Sequence, residues 1–338
     1  MLTNPQHIRT LRYALGVTIA LALSSAIAWP LSFLLPVLSA MMLALPMPKP
    51  GLQQAIRNMR DALFAFGVGY IITQFILPHT VIYIPLLALA LFHTYYHLNR
   101  GGSFWLVLML LLCLLLMPML AGLHEGLAIG VALGLVWSSW LTIGILWLSH
   151  FLVPDSESAQ GAPAKQGFHS GYLAPAAEAA MKSTLVTFPL AIMFIANNLS
   201  SQIIVLVFAA IFTLSPNLEK GKAAGMNSMK SSLIGGSVAF FVYWALVAVP
   251  EYHFLVLLMF FVSLGFGRVI YSGRPVSKYL PSAMVVVIVL VNSSLAADAG
   301  FSENLLLRII FITLATMYVV ISLKVLDAFW HKQLPVNS

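Results

Sequence analysis

The feature that most limits how this chain can fold is its succession of apolar runs long enough to cross a lipid bilayer. Residues 104–120, FWLVLMLLLCLLLMPML, carry no charge, and comparable runs recur from end to end of the 338 residues. Crossing hydrocarbon takes about 20 mostly apolar residues whose backbone groups are paired internally, which leaves only helices and closed barrels. Barrel strands alternate apolar and polar residues, and these runs do not. The expected fold is therefore an all-α polytopic membrane protein. Composition agrees, with 60% hydrophobic and 8% charged residues, where a soluble domain has roughly a quarter charged.

The runs predict twelve helical segments, at about 12–28, 31–46, 60–77, 81–98, 104–120, 127–152, 179–196, 202–215, 231–249, 254–271, 281–297 and 305–328. One long polar stretch interrupts them, PDSESAQGAPAKQGFHSGYLAPA at residues 154–176. It divides the chain into a first membrane half, 1–153, a linker, 154–176, and a second half, 177–338.

The net charge of +7 would suit nucleic acid in a soluble protein, but here the bases lie between apolar segments. Sorting the connectors alternately puts all of the seventeen Lys and Arg except Arg308 on one side, while Glu125, Glu251, Asp298 and Glu303 fall on the other. The basic side is cytoplasmic by the positive-inside rule, which places both termini and the linker there and requires an even number of spans. Twelve fits, and ten would follow if the first two segments formed a re-entrant pair. Arg9 and Arg12 ahead of an apolar run, with Ala26 and Ala28 following, resemble a signal peptide. The many later spans make it an uncleaved first helix. The single cysteine, Cys113, excludes an internal disulfide and a thiolate metal cluster, and no cofactor is expected.

Sliding the chain by 170 residues places Leu11-Arg12 on Met181-Lys182, and GLQQAIRNMR at 51–60 on GKAAGMNSMK at 221–230. The second match keeps a glycine, a small residue, a methionine and a base at identical spacing, between the second and third segments of each half. Six segments per half is an even number, so the halves are expected to be two parallel six-helix repeats about an axis along the membrane normal.

These residues resemble a known family. The basic lead into LRYALGVTIALALSSAIA, the Trp29-Pro30 break, the run PMPKPGLQQAIRNMRDALFAFGVGY and its second-half counterpart FAAIFTLSPNLEKGKAAGMNSMKSSLIGGSV look like the fusaric-acid-resistance and aromatic-acid exporters of bacterial inner membranes. That resemblance implies export of small, often aromatic, organic acids, frequently with a periplasmic adaptor of the membrane-fusion type. Larger members also carry a sizeable cytosolic domain, for which the central linker has no room.

No G-x-x-x-x-G-K-[ST] occurs; Gly221-Lys222-Ala223 lacks both the hydroxyl and the upstream glycine. Transport would then draw on an ion gradient, which calls for ionisable groups in or near the membrane. Asp61, beside Arg60 at the expected entrance of the third segment, can exchange a proton when desolvated, or can be a solvated charge pair favoured by the helix dipole. Arg268 is a fitting partner for an organic carboxylate, and equally a base snorkelling to the headgroups. Arg308 stands on the acidic side, able to pair with Glu303 or Asp298 or to guard the mouth of an anion pathway. His93 and His97, four apart, share a helix face, but with no third clustered ligand an interfacial patch with Tyr95 and Tyr96 is the default over a metal site. Asn292, with Gln74, Asn197, Asn198, Ser293 and Ser294, can line a pathway or bond neighbouring helices. Trp137 and Trp140 can stack an aromatic substrate or anchor to lipid. Gly126, Gly130 and Gly134 read as a close-packing stripe.

The leading expectation is a secondary exporter of small amphipathic or aromatic acids, not an enzyme. The alternative is a non-transporting membrane scaffold that recruits a periplasmic adaptor, with self-association open to either. An integral membrane enzyme acting on lipid would rest on His124-Glu125 alone.

Overall fold

The computed structural model describes residues 5–29, 32–45, 49–122, 125–154, 168–197, 206, 213, 218–296 and 301–333. Among these, all regular structure is helical: α1 (Pro5–Ile27), α2 (Leu34–Ala44), α3 (Leu52–Ile71), α4 (Thr80–Asn99), α5 (Phe104–Ala121), α6 (Glu125–Leu152), α7 (Ala174–Ala196), α8 (Leu218–Ala248), α9 (Tyr252–Ile270), α10 (Leu280–Ala296) and α11 (Phe301–Gln333). The expected segment at 202–215 lies outside the described residues except for Leu206 and Thr213.

Among the described residues, seven helices are long and apolar enough to cross a membrane: α1, α4, α5, residues 132–152 of α6, α7, residues 229–248 of α8, and α9. The protein is thus a multi-pass helical membrane protein. Two of the other predicted spans fall short for identifiable reasons. The eleven residues of α2 extend about 16 Å, half of the roughly 30 Å hydrocarbon core. α3 carries Arg57, Arg60 and Asp61 within its length.

Several helices begin before their apolar cores do. α3 starts at Leu52, eight residues ahead of the expected boundary, because LQQAIRNMR is made of good helix formers arranged amphipathically. Ala55, Ala62, Ala65 and Ile72 are buried while Gln53, Arg57 and Arg60 face out. α3 then passes into a π-helical turn, Ile72–Ile76, in which the Leu77 amide donates to the Ile72 carbonyl at 2.9 Å. α8 likewise starts at Leu218, so the repeat-matched 51–60 and 221–230 both belong to the opening turns of a helix and not to a connector.

Two compact units divide the chain, and neither is a sequence half. The first comprises Met1–Met59, Gly134–Ala164 and Ser228–Ile309; the second comprises Arg60–Leu133, Lys165–Asn227 and Ile310–Ser338. In the first unit α1 packs most extensively on α9. A methyl group at Gly267 of α9 would come within 3.2 Å of the Thr10 carbonyl and of the Tyr13 ring, so the missing side chain is what lets these helices approach. Tyr13, Val17 and Leu21 of α1, Leu43 of α2, Met259 and Phe266 of α9 and Met284 and Val287 of α10 form one buried cluster. Gly235 of α8 fits against the Ala283 carbonyl and the Val286 side chain of α10. Two of the α6 tryptophans are fixed by their indoles, Trp140 donating to the Met59 carbonyl at 3.3 Å and Trp147 to that of Pro50 at 3.0 Å.

In the second unit α4 packs most extensively on α7. The buried hydroxyls of Tyr95, Thr187 and Thr213 form a triangle with sides of 2.9, 3.0 and 3.0 Å, and Ser183 donates to the Thr213 carbonyl at 2.5 Å. Gly69 of α3 lies against Cys113 and Met117 of α5, where an added methyl group would come within 2.8 and 2.9 Å of them. Cys113 is buried there as packing. Among the described residues, glycines that let helices pack closely include Gly16, Gly69, Gly235 and Gly267; at Gly130, at the centre of the expected α6 stripe, a methyl group would meet nothing within 4 Å.

Candidate functional site

The second unit gathers the most unusual ionisable group. Because α3 begins at Leu52, Asp61 is the tenth residue of the helix, about 14 Å along its axis. It is therefore not at a helix N-terminus, and dipole stabilisation there does not explain it. Asp61 is 5% exposed. Its only ion pair among the described residues is with the adjacent Arg60, whose Nη2 lies 3.4 Å from Oδ1 while its own side chain is 73% exposed. A separation of 3.4 Å is long for a charge-assisted hydrogen bond, which runs about 2.7–2.9 Å. The carboxylate is thus shielded by protein yet held only loosely by its partner.

His97, in the last turn of α4, lies within electrostatic reach of both Asp61 and Arg100. Its ring stands 5.4 Å from that of Phe168. Arg100 caps α4 and stacks between two aromatic rings, 5.1 Å from the Tyr96 centroid and 4.9 Å from that of Phe168. Its Nε donates to the His169 carbonyl at 2.7 Å, and the His169 amide donates back to the Arg100 carbonyl at 3.1 Å. The Leu173 amide donates to the Tyr96 hydroxyl at 3.1 Å. The last residues of the polar linker are thereby fastened onto the end of α4. An acid, an imidazole and a guanidinium share this neighbourhood, a set able to pass a proton and to bind an organic anion.

The remaining expected residues do not join it. His93 is exposed, with Nδ1 2.9 Å from the Leu89 carbonyl. Trp137 is half exposed on α6. Arg268, in the last turn of α9, and Asn292, on α10, are exposed residues of the first unit. Arg308 is the eighth residue of α11, and its side chain, with those of Glu303 and Asp298, lies outside the described residues. No group of three metal-ligating side chains occurs among the described residues.

Reading the sequence undervalued two bases. Arg12 is 5% exposed and donates from Nε to the Val153 carbonyl at 3.0 Å. The side chain of Lys182 is 14% exposed and pairs with Glu178 at 3.2 Å. Both fall on the basic side that the sequence predicts to be cytoplasmic, and their correspondence under the 170-residue shift is the signal that the first helix of each half carries a base that is at least half-buried.

Residues 9–149 match a family described as a protein of unknown function (DUF2955). The similarity covers α1 to α5 and most of α6. No curated protein and no solved structure matches the chain.

Proposed function

We propose that the chain is a secondary exporter of small amphipathic or aromatic organic acids, driven by an ion gradient across the bacterial inner membrane, in the manner of the fusaric-acid-resistance exporters it resembles. The observation that carries this reading is the burial of Asp61 inside α3 within reach of His97. Intramembrane carboxylates are expensive and are kept where they do work. Arg60 and Arg100 supply positive charge for a carboxylate substrate.

The proposed plan is twelve spans in two parallel six-helix halves, 1–153 and 177–338, with both termini and the linker cytoplasmic and a periplasmic adaptor as partner. Supporting it, the helix pairings are reciprocal: α1 packs on α9 and α7 packs on α4, each the first helix of one half against the fourth of the other. The same backbone position serves in both units, since the Leu43 carbonyl accepts from the Tyr271 hydroxyl and the Thr213 carbonyl, 170 residues on, accepts from the Ser183 hydroxyl.

Growth inhibition by a panel of weak aromatic acids tests the reading, comparing a deletion strain with the same strain expressing wild type or Asp61→Asn at equal membrane levels. Wild type is expected to restore growth and the variant to lose most of that protection. Restoration by both would keep export and remove Asp61 from it. No protection by wild type against any compound would overturn the exporter in favour of the scaffold.

A further inference from the structure

The first unit carries an apolar groove of about 460 Å³ between α8, α9 and the start of α10. Ile234 of α8, Phe261, Gly265 and Val269 of α9 and Val276 of the short 3-10 turn Pro275–Lys278 line it. From Phe261 to Val269 it follows α9 for about 12 Å. A methyl group at Gly265 would meet nothing within 4 Å, so this glycine leaves open space in the groove wall.

One end of the groove is strongly basic. Lys230 and Lys278 hold their ammonium groups 5.4 and 5.0 Å from the centroid of the same ring, that of Tyr279. The Tyr279 phenol is held below its ordinary range by its hydrogen bond with Lys278 and by the Lys230 charge. Both lysines are exposed, and among the described residues neither has a carboxylate partner. Val276 and Lys278 belong to one turn, so the apolar wall and the charge adjoin.

We infer that this groove is a binding site for an anionic phospholipid, with an acyl chain along α9 and the headgroup phosphate between Lys230 and Lys278. A soluble phosphate would meet the lysines and have no use for the apolar groove. A zwitterionic lipid would fill the groove and neutralise neither lysine. Charge and shape together select an anionic lipid, for which each nearby base adds to attraction.

Native mass spectrometry of the full chain in detergent, titrated with phosphatidylglycerol or with phosphatidylcholine of the same acyl chains, measures this directly. Wild type is expected to retain phosphatidylglycerol about thirtyfold more strongly, as two added basic contacts imply. The Lys230→Gln/Lys278→Gln double variant should lose that preference, and Gly265→Leu should weaken retention of both lipids. Equal retention of the two lipids by wild type overturns the inference without any variant being needed. So does an unchanged preference in a double variant that melts as wild type does. Displacement of phosphatidylglycerol by inorganic phosphate at equal concentration would reduce the site to a phosphate contact and overturn the lipid assignment.

Discussion

Individual side chains here act by what they leave unsatisfied or complete. Asp61 and the Tyr95 hydroxyl are both withdrawn from solvent, yet the first has one loose partner and the second closes a triangle with Thr187 and Thr213. Replacing Tyr95 with Phe leaves the two threonines bonded to each other and removes one member of the network. The expected cost is about 1 kcal/mol, read as a lower denaturant midpoint in detergent with the helical content unchanged. Asp61 and Arg60 could be singled out in the sequence because charge is rare in so apolar a chain. The tether of Arg100 to Phe168 and His169 could not, since it joins residues separated by two predicted helices.

At the level of elements, apolar length located the helices and amphipathic extension set their ends. The boundary of α3 moved to Leu52 because helix propensity and one buried face carry the helix past the last apolar residue. Glycine was a weaker guide: the four-residue spacing pointed to α6, whereas close approaches fall at Gly16, Gly69, Gly235 and Gly267, none of which belongs to that stripe. Whether a glycine faces a neighbour depends on helix rotation, which sequence spacing alone does not set. Gly235→Leu forces a side chain into the Ala283 carbonyl and Val286, and overpacking of this kind costs about 1–3 kcal/mol. Gly144→Leu, where nothing lies within 4 Å, should leave stability nearly unchanged. Parallel thermal melts of the two variants check the contrast.

For the whole molecule, the two compact units each draw helices from both sides of the linker. Fragments 1–160 and 161–338, expressed separately, should each be degraded, and together should co-purify and survive. Tagged fragment levels in membranes measure this, and a stable isolated fragment would mean that a sequence half folds alone. The sequence by itself determined that the chain is helical, that it crosses a membrane several times, and that its two halves share a pattern of bases and small residues, because hydropathy and spacing are local properties written along the chain. Only the tertiary structure decided that α1 finds α9 and that α4 finds α7. Apolar helices in lipid have no hydrophobic force to choose between partners, so the choice rests on van der Waals fit and a few hydrogen bonds such as those around Thr213. Those depend on how each helix is rotated, and periodicity in a uniformly apolar helix leaves that rotation open.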